Sequence, residues 1–338
     1  MILVGALLMA AIPRVVEVVP PQRWFPAGSS VEQVIPDVDL GIDAKEVIAS
    51  WNVQPTIDAK IKVEVCAHVL DRKTSWYTMA DWNLHEAATR TTVNGQKDDD
   101  GKVSTDTLVL NRPARKFDVR ITVTTGAAGA EVSLLTLAGS NGINPEPAPS
   151  RVGLGKVIEV PQKCQGNYPK GNVICSPTST TMILNHWSII LNRMDLNVDV
   201  PETTEAVWDA AYNGGGNWPF NTAFAGSFQG LRAYVTRLSS INDLQEWTSR
   251  GFPVACSVAS SVLYGKMLDP KEQGHLVVLV GFAENGDPIF NDPAWKSGVR
   301  KTFKRADFDK AWNHSDHTVY LIYPKSTTPP PTQGSWLP

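Results

Sequence analysis

Charge is sparse in this chain and neither sign prevails. Among 338 residues, 31 Lys and Arg stand against 34 Asp and Glu, for a formal net charge of −3 and a charged fraction of 19%. That balance gives no electrostatic reason to expect nucleic acid or an anionic membrane as a partner. Cysteine is sparse as well: Cys66, Cys164, Cys175 and Cys256 are the whole complement, too few to form a disulfide framework over this length. If Cys175 stays free, a Cys164–Cys256 bond is one option, with Cys66 left over. The apolar opening over residues 1–12 is shorter than the roughly 18 residues that a membrane span needs, and no spanning segment follows. It reads as a signal segment for export that lacks a basic start, the other reading being an apolar N-terminal strand. There is no internal repeat, no strand-loop-helix unit with the Lys-Ser/Thr of a phosphate-binding loop, and no cofactor motif. What remains is globular, with 42% hydrophobic residues and a length that favours two domains.

From Trp24 to Ala138 the sequence is β-rich. Val47–Trp51, Lys60–Val65, Thr105–Leu110, Phe117–Val123 and Glu131–Leu137 are short, and several alternate apolar with polar, the pattern of a half-buried antiparallel sheet. We expect a β-sandwich of jelly-roll or immunoglobulin type over residues 21–139, after an N-terminal segment 1–20. Trp51, Trp76, Tyr77 and Trp82 either fill its core or form a platform for a sugar or peptide, and the core is the better reading; the sandwich as a whole is expected to position a substrate or a cell-envelope ligand. Asp98-Asp99-Asp100 before Gly101 lacks the spacing of a calcium loop and reads as a solvated turn.

Residues 140–155 are rich in Gly and Pro without periodicity and mark a linker. Residues 325–338 form a Pro-rich tail, expected to be extended or disordered. Between them, 156–324 reads as an α+β domain with a mainly antiparallel sheet. A helix is expected over Thr203–Tyr212, a loop walling a cleft over Asn213–Thr222, a helix about Asp243–Trp247 and a strand over Pro253–Val258. Gly216, Asn217 and Trp218 of that loop are candidate substrate-binding residues. His314-Ser-Asp-His317 lacks a third clear ligand, so no metal is expected there.

The chemistry centres on Gly171–Trp187. Gly171 and Asn172 break the preceding segment, Ser176 can cap, Pro177 suits a first helical turn, and Met182, Ile183, Trp187 and Ile190 recur at helical spacing. Cys175 therefore stands where unpaired helix N–H groups converge, which favours thiolate over thiol. About a hundred residues on, Gly274-His275 opens an apolar strand through Phe282. After the turn Glu284-Asn-Gly-Asp287, the strand Pro288–Asn291 runs into Asp292, and antiparallel pairing brings Asp292 back beside His275. Asn291 is the alternative partner for the imidazole. A cysteine at a helix start with a histidine and a carboxylate on paired strands is the arrangement of a papain-like cysteine hydrolase.

At these residues the second half resembles the bacteriocin-leader-processing cysteine peptidases, peptidase family thirty-nine, and especially its stand-alone exported relatives. The pieces that carry the resemblance are Cys175–Met182, Gly216–Ala223, Gly274–Phe282 and Asn291–Ala294. It implies a papain-like fold in which Cys175 is nucleophile, His275 base and Asp292 its orienter. A glutamine upstream completes the oxyanion hole in that family, and Gln165 looks like that residue, with Gln162 a second candidate. The nucleotide-binding cassette of leader-cleaving exporters does not follow here.

The expected activity is hydrolysis of a peptide or amide bond through a thioester, on a peptide or protein substrate and without a cofactor. The same three residues also serve an acyltransferase or a peptidoglycan amidase. From another class, a catalytically idle envelope-binding module is the rival reading.

Overall fold

The computed structural model describes residues 12–54, 59–86, 89–144, 147–271 and 274–338; the candidate signal segment lies, except for its end, outside the described residues. The N-terminal region consists of strands β1 (Arg14–Glu17), β2 (Trp24–Phe25), β3 (Ser30–Gln54), β4 (Lys60–Val69), β5 (Arg72–Lys73), β6 (Tyr77–Asn83), β7 (Gly101–Ser104), β8 (Thr107–Thr124) and β9 (Ala130–Ser140). Among the described residues they form one antiparallel sheet in the order β1-β9-β3-β8-β4-β5, with β2 on β9, β6 on β4 and β7 on β8. Strand β1 lies inside the stretch set apart at the N-terminus and pairs with Thr136–Gly139 of β9.

Strand β3 is far longer than its sequence pattern suggests. Pro36 and Gly41 interrupt the alternation, yet in the structure they fall where the β3–β8 register slips, between Ile35 and Val38 and between Asp39 and Ala44. Such irregularities bend a strand without ending it. Beyond the bend, β3 leaves most of β8 and pairs with β9. Trp51 on this half of β3 then meets Trp82 on β6, with ring centroids 6.2 Å apart and both side chains wholly buried. Tyr77 is buried too, and half-buried Trp76 lies under the Arg120 guanidinium at 4.4 Å. Three of the four aromatic residues are therefore core rather than platform. The aspartate turn is held by its neighbours: Asp98 accepts from Tyr77, and Asp100 pairs with Arg72.

The C-terminal region has helices α1 (Cys175–Leu191), α2 (Val200–Val207), α3 (Trp218–Gly226), α4 (Ile241–Ser249), α5 (Ser260–Leu263) and α6 (Arg305–Asn313). Its strands are β10 (Leu231–Arg237), β11 (Val254–Val258), β12 (His275–Phe282), β13 (Pro288–Asn291), β14 (Arg300–Thr302) and β15 (Thr318–Pro324). They form an antiparallel sheet in the order β10-β15-β11-β12-β13-β14. Every residue of α1 from Ser176 to Ser188 is buried, as befits a helix enclosed on all sides. Its polar side chains find partners in the sheet: Ser179 donates to the Leu276 carbonyl at 3.0 Å and Trp187 to that of Ile322 at 2.8 Å.

The two regions share an interface. Strand β10 is an edge of its sheet, and an edge strand has unpaired peptide groups. Side chains of β3 satisfy them: Asn52 accepts from Ala233 N–H at 3.1 Å and donates to its carbonyl at 2.7 Å, and Ser50 accepts from Val235 N–H at 3.0 Å. Trp51 meets Phe220 of α3 at 6.2 Å, and Gly226 is so close to Asn52 that a Cβ there would lie 2.0 Å from its amide.

Two local expectations are corrected and a third is narrowed to its extended alternative. Helix α2 ends at Val207 rather than Tyr212, because the Asp209 carboxylate takes the N–H groups of Ala211 and Tyr212, both at 3.1 Å, and so folds a loop. The expected loop 213–222 becomes helix α3 from Trp218, capped by Asn217, whose side chain accepts from Phe220 N–H at 3.2 Å, with Pro in the first turn. The tail has no helix or strand, but it is packed: Trp336 and Leu337 are buried, Leu337 N–H donates to the Tyr234 hydroxyl at 3.0 Å and Thr236 donates to the Ser335 carbonyl at 2.7 Å.

Candidate active site

Cys175 is the first residue of α1. The residue before it, Ile174, takes the cap position with no side-chain bond, and Ser176 is not a cap, since its hydroxyl bonds that of Tyr320 at 2.8 Å inside the protein. An uncapped helix start leaves N–H groups for another acceptor. Here the N–H groups of Leu276, from the adjoining strand, and of Ser176 favour the thiolate of Cys175.

His275 opens β12 and is 6% exposed. Its Nε2 is 2.7 Å from Oδ1 of Asp292, just past the end of β13, and Cys175 is near enough to act on its charge. With Nε2 engaged, Nδ1 is the nitrogen left for the sulfur. Burial of His275 works against its charged form, but the bond to Asp292 and the negative charges of Asp292 and Cys175 outweigh it, so its pKa is raised. Burial likewise pushes the Cys175 thiol up, and the His275 charge and the two N–H groups more than reverse it, so that pKa is lowered. Both shifts favour a thiolate–imidazolium pair.

Asp292 is wholly buried and fully engaged. Oδ1 accepts from His275 and from Ala294 N–H at 3.0 Å, and Oδ2 accepts from the Tyr264 hydroxyl at 2.8 Å and Trp295 Nε1 at 3.1 Å. Against the cost of burial, these bonds and the imidazole charge lower its pKa and keep it a carboxylate. The alternative, Asn291, faces away: its amide donates to the Val160 carbonyl at 3.1 Å and accepts from Arg300 at 3.1 Å.

The other candidates divide. Gln165 sits beside the segment that carries Asp292, with its N–H on the Pro293 carbonyl at 2.9 Å. Its side-chain amide donates to the Gly171 carbonyl at 2.6 Å, and its Oε1 is buried without a partner. Gln162 instead accepts from Arg300 N–H at 3.2 Å. Gly216 and Trp218 line the cleft into which Cys175 opens, a space of about 1230 Å³. Asn217 does not reach that cleft: it is wholly buried, one end capping α3 and the other donating to Asp209 at 3.0 Å and Thr92 at 3.2 Å. All four cysteines are free thiols, Cys164 and Cys256 included. His317 donates through Nδ1 to the Leu238 carbonyl at 3.2 Å and stacks on Trp312.

Sequence reading missed Tyr264 and Trp295, which hold Asp292. Trp295 was within reach, three residues past Asp292 in a turn, but Tyr264 comes from α5's end and carried no signal. It also missed that the N-terminal region lines the cleft, through Thr105 and Thr107 at the β7–β8 turn and Glu46 of β3.

A model of the peptidase C39 N-terminal domain matches residues 31–140, and a model of the C39-like peptidase family matches residues 157–320. A solved structure from Bacillus anthracis, described provisionally as a C39-like peptidase, is 20% identical over 51% of this chain and 98% of its own, with a TM-score of 0.37. No curated protein matches the chain. The resemblance first drawn from the second half thus extends to the first, and no helix among the described residues is long and apolar enough to cross a membrane. With its two regions each matched by a model of the same peptidase group, the chain belongs to the C39-like cysteine peptidases.

Proposed function

We propose that the protein is an exported thiol hydrolase of papain-like fold, its N-terminal sheet bent into a sandwich, that cleaves peptide or amide bonds. The observation that carries this reading is His275, buried and bonded to a fully engaged carboxylate, beside a half-buried cysteine that lines an open cleft. The Cys175 thiolate attacks the carbonyl carbon; the C–S bond forms and the carbonyl electrons move to oxygen. The Cys175 backbone N–H and the second amide hydrogen of Gln165 face that oxygen. As the intermediate collapses, the C–N bond breaks and His275 passes its proton to the leaving amine. Water, deprotonated by His275, then opens the thioester and returns the thiol. Gly216 and Trp218 line the substrate's path, and the cleft is larger than the about 300–1,000 Å³ of small-molecule pockets, which suits a chain rather than a metabolite.

The test is a thiol-directed probe on the full chain, with Cys175→Ala and His275→Ala beside it, followed by product analysis on a peptide library. Rapid labelling that disappears with Cys175 and slows with His275, together with cleaved peptides, is the expected result. Fast labelling without cleavage, and with acyl groups passed to added amines, points to acyl transfer. A wild-type thiol no faster than a free cysteine ends the reading.

A further inference from the structure

The cleft belongs to both regions of the chain. Part of its wall is the turn between β7 and β8, where Ser104, Thr105 and Thr107 line the space that Cys175 and Trp218 also line. The turn is pinned in place: buried Asp106 accepts from Trp218 N–H at 2.7 Å, which ties the tip to the first turn of α3. The neighbouring loop is held from the same region. Asp209 accepts from Thr92 N–H at 3.0 Å, and wholly buried Arg90 donates to the carbonyls of Glu205 and of Trp208, the latter at 3.0 Å. That loop places Tyr212, against which Gly216 packs so tightly that a Cβ would lie 2.9 Å from the ring.

Thr105 stands out within this wall. Its φ is 58°, and Asp106 N–H donates to the Ser104 carbonyl at 2.8 Å, so the tip is a γ-turn of the rarer, positive-φ kind. A β-branched residue in the left-handed region is strained, and glycine would take the position at lower cost. Such strain is found where surrounding contacts over-determine a conformation, often at ligand clamps. Folding alone gives no reason for a threonine here, and the one thing its side chain adds is a methyl and a hydroxyl at the cleft wall.

We propose that Thr105, at the tip of the β7–β8 hairpin, is a specificity residue that contacts an extended peptide lying between the two regions. The inference rests on the peptidase reading of the cleft and adds which part of the chain selects the substrate. The reacting end of the peptide lies over Cys175, and a flanking residue lies against Thr105. Contacts remote from the reacting bond that bind the substrate raise kcat/KM for long substrates and leave short ones unaffected.

The decisive variant is Thr105→Gly in the full chain, because glycine relieves the backbone strain and the fold survives. Expected are a melting temperature equal to or above wild type and an unchanged rate of Cys175 alkylation by iodoacetamide. On peptides chosen from a randomised library, kcat/KM falls roughly tenfold, with a changed preference at one position, while a short amide reporter is cleaved as before. The same comparison on a Cys175→Ala background, read as peptide binding, needs no chemistry and gives a similar loss of affinity. Equal affinity and equal preference with and without Thr105 overturn the inference and leave the thiol chemistry standing. If instead the wild-type sulfur is inert, the chemistry falls, and the binding comparison still decides the hairpin's part. A Cys175→Ala chain that binds no library peptide overturns the inference outright.

Discussion

Replacing Asp292 with alanine and with asparagine should give very different proteins, and the hydrogen bonds say why. Alanine leaves the imidazole, the Tyr264 hydroxyl, the Trp295 indole and Ala294 N–H without their shared acceptor. Removing one partner of a buried pair costs about 3–5 kcal/mol, and with the imidazole free to rotate kcat/KM should fall on the order of a thousandfold or more. Asparagine keeps one acceptor oxygen and must place an NH₂ where the other was. On the Oδ1 side it would meet the obligate donor Ala294 N–H and force His275 into the tautomer that turns an N–H toward the sulfur. On the Oδ2 side it meets Tyr264, whose hydroxyl can turn to accept, and Trp295, which is 40% exposed and can turn to water. The second orientation is therefore favoured, and the histidine keeps its useful tautomer. What is lost is charge. A hydrogen bond to an ionised group contributes about 1.5–3 kcal/mol and a neutral one about 0.5–1.5, so the deficit is about 1–1.5 kcal/mol, or roughly tenfold in kcat/KM. Peptide cleavage and urea denaturation of both variants measure this. If Asp292→Asn proves as inactive as Asp292→Ala, or if Asp292→Ala is as stable as wild type, the account of Asp292 as the imidazole's anchor fails.

Other consequences follow from the same contacts. In His275→Ala the lowering influence of the imidazolium on Cys175 disappears while burial still raises the thiol, so the midpoint of iodoacetamide alkylation against pH should move upward; an unmoved midpoint refutes the ion pair. The stability gap between wild type and Asp292→Ala should depend on pH in both directions. The Asp292 pKa is depressed on folding, so its contribution is full above the unfolded value of about 3.9 and is lost as the pH falls through the lower folded value. The His275 pKa is raised, so its contribution is full below about 6.5 and is lost as the pH rises through the higher folded value. Melting curves across pH should therefore show the widest gap between about pH 5 and 6.5, and a gap that widens steadily toward alkali contradicts the assignment. Asn52→Ala strips both partners from Ala233 on the edge of β10 and should cost about 2–4 kcal/mol in chemical denaturation; a change under about 0.5 kcal/mol would mean that the edge is satisfied otherwise.

The places of Cys175, His275 and Asp292 were legible because each carries its own local signal. A cysteine before Ser-Pro and a helical stripe, a histidine opening an apolar strand, and an Asn-Gly turn that folds the next strand back fix both identity and approximate place, and β12 with β13 closes as that turn requires. Helix α3 could also have been read, since Asn217 followed by Trp218-Pro219 is a cap with proline in the first turn; three preceding glycines drew attention to a loop instead. The long β3 could not, because Pro36 and Gly41 look like strand ends when taken singly, and only pairing with β8 shows that the chain bends there and continues.

The interface is a different case, since its residues have no pattern at all in sequence. Ser50 and Asn52 sit in a strand as polar residues on what should be a buried face, Arg90 stands in a Thr-rich stretch, and Asp106 is one acid in a turn. Each is unremarkable alone, and each becomes necessary only once a specific partner from the other region leaves a peptide group or a carbonyl unpaired in the interior. Local propensity cannot announce such contacts, because the demand they meet is created by packing. The same reasoning gives the N-terminal sheet its place in the cleft. A region joined only by a linker and by exposed charges would be free to move, whereas one whose buried arginine and two buried carboxylate contacts hold the loop from Trp208 to Trp218 sets the shape of the cleft that Cys175 lines. Loosening any of those bonds should therefore be felt in substrate choice before it is felt at the sulfur.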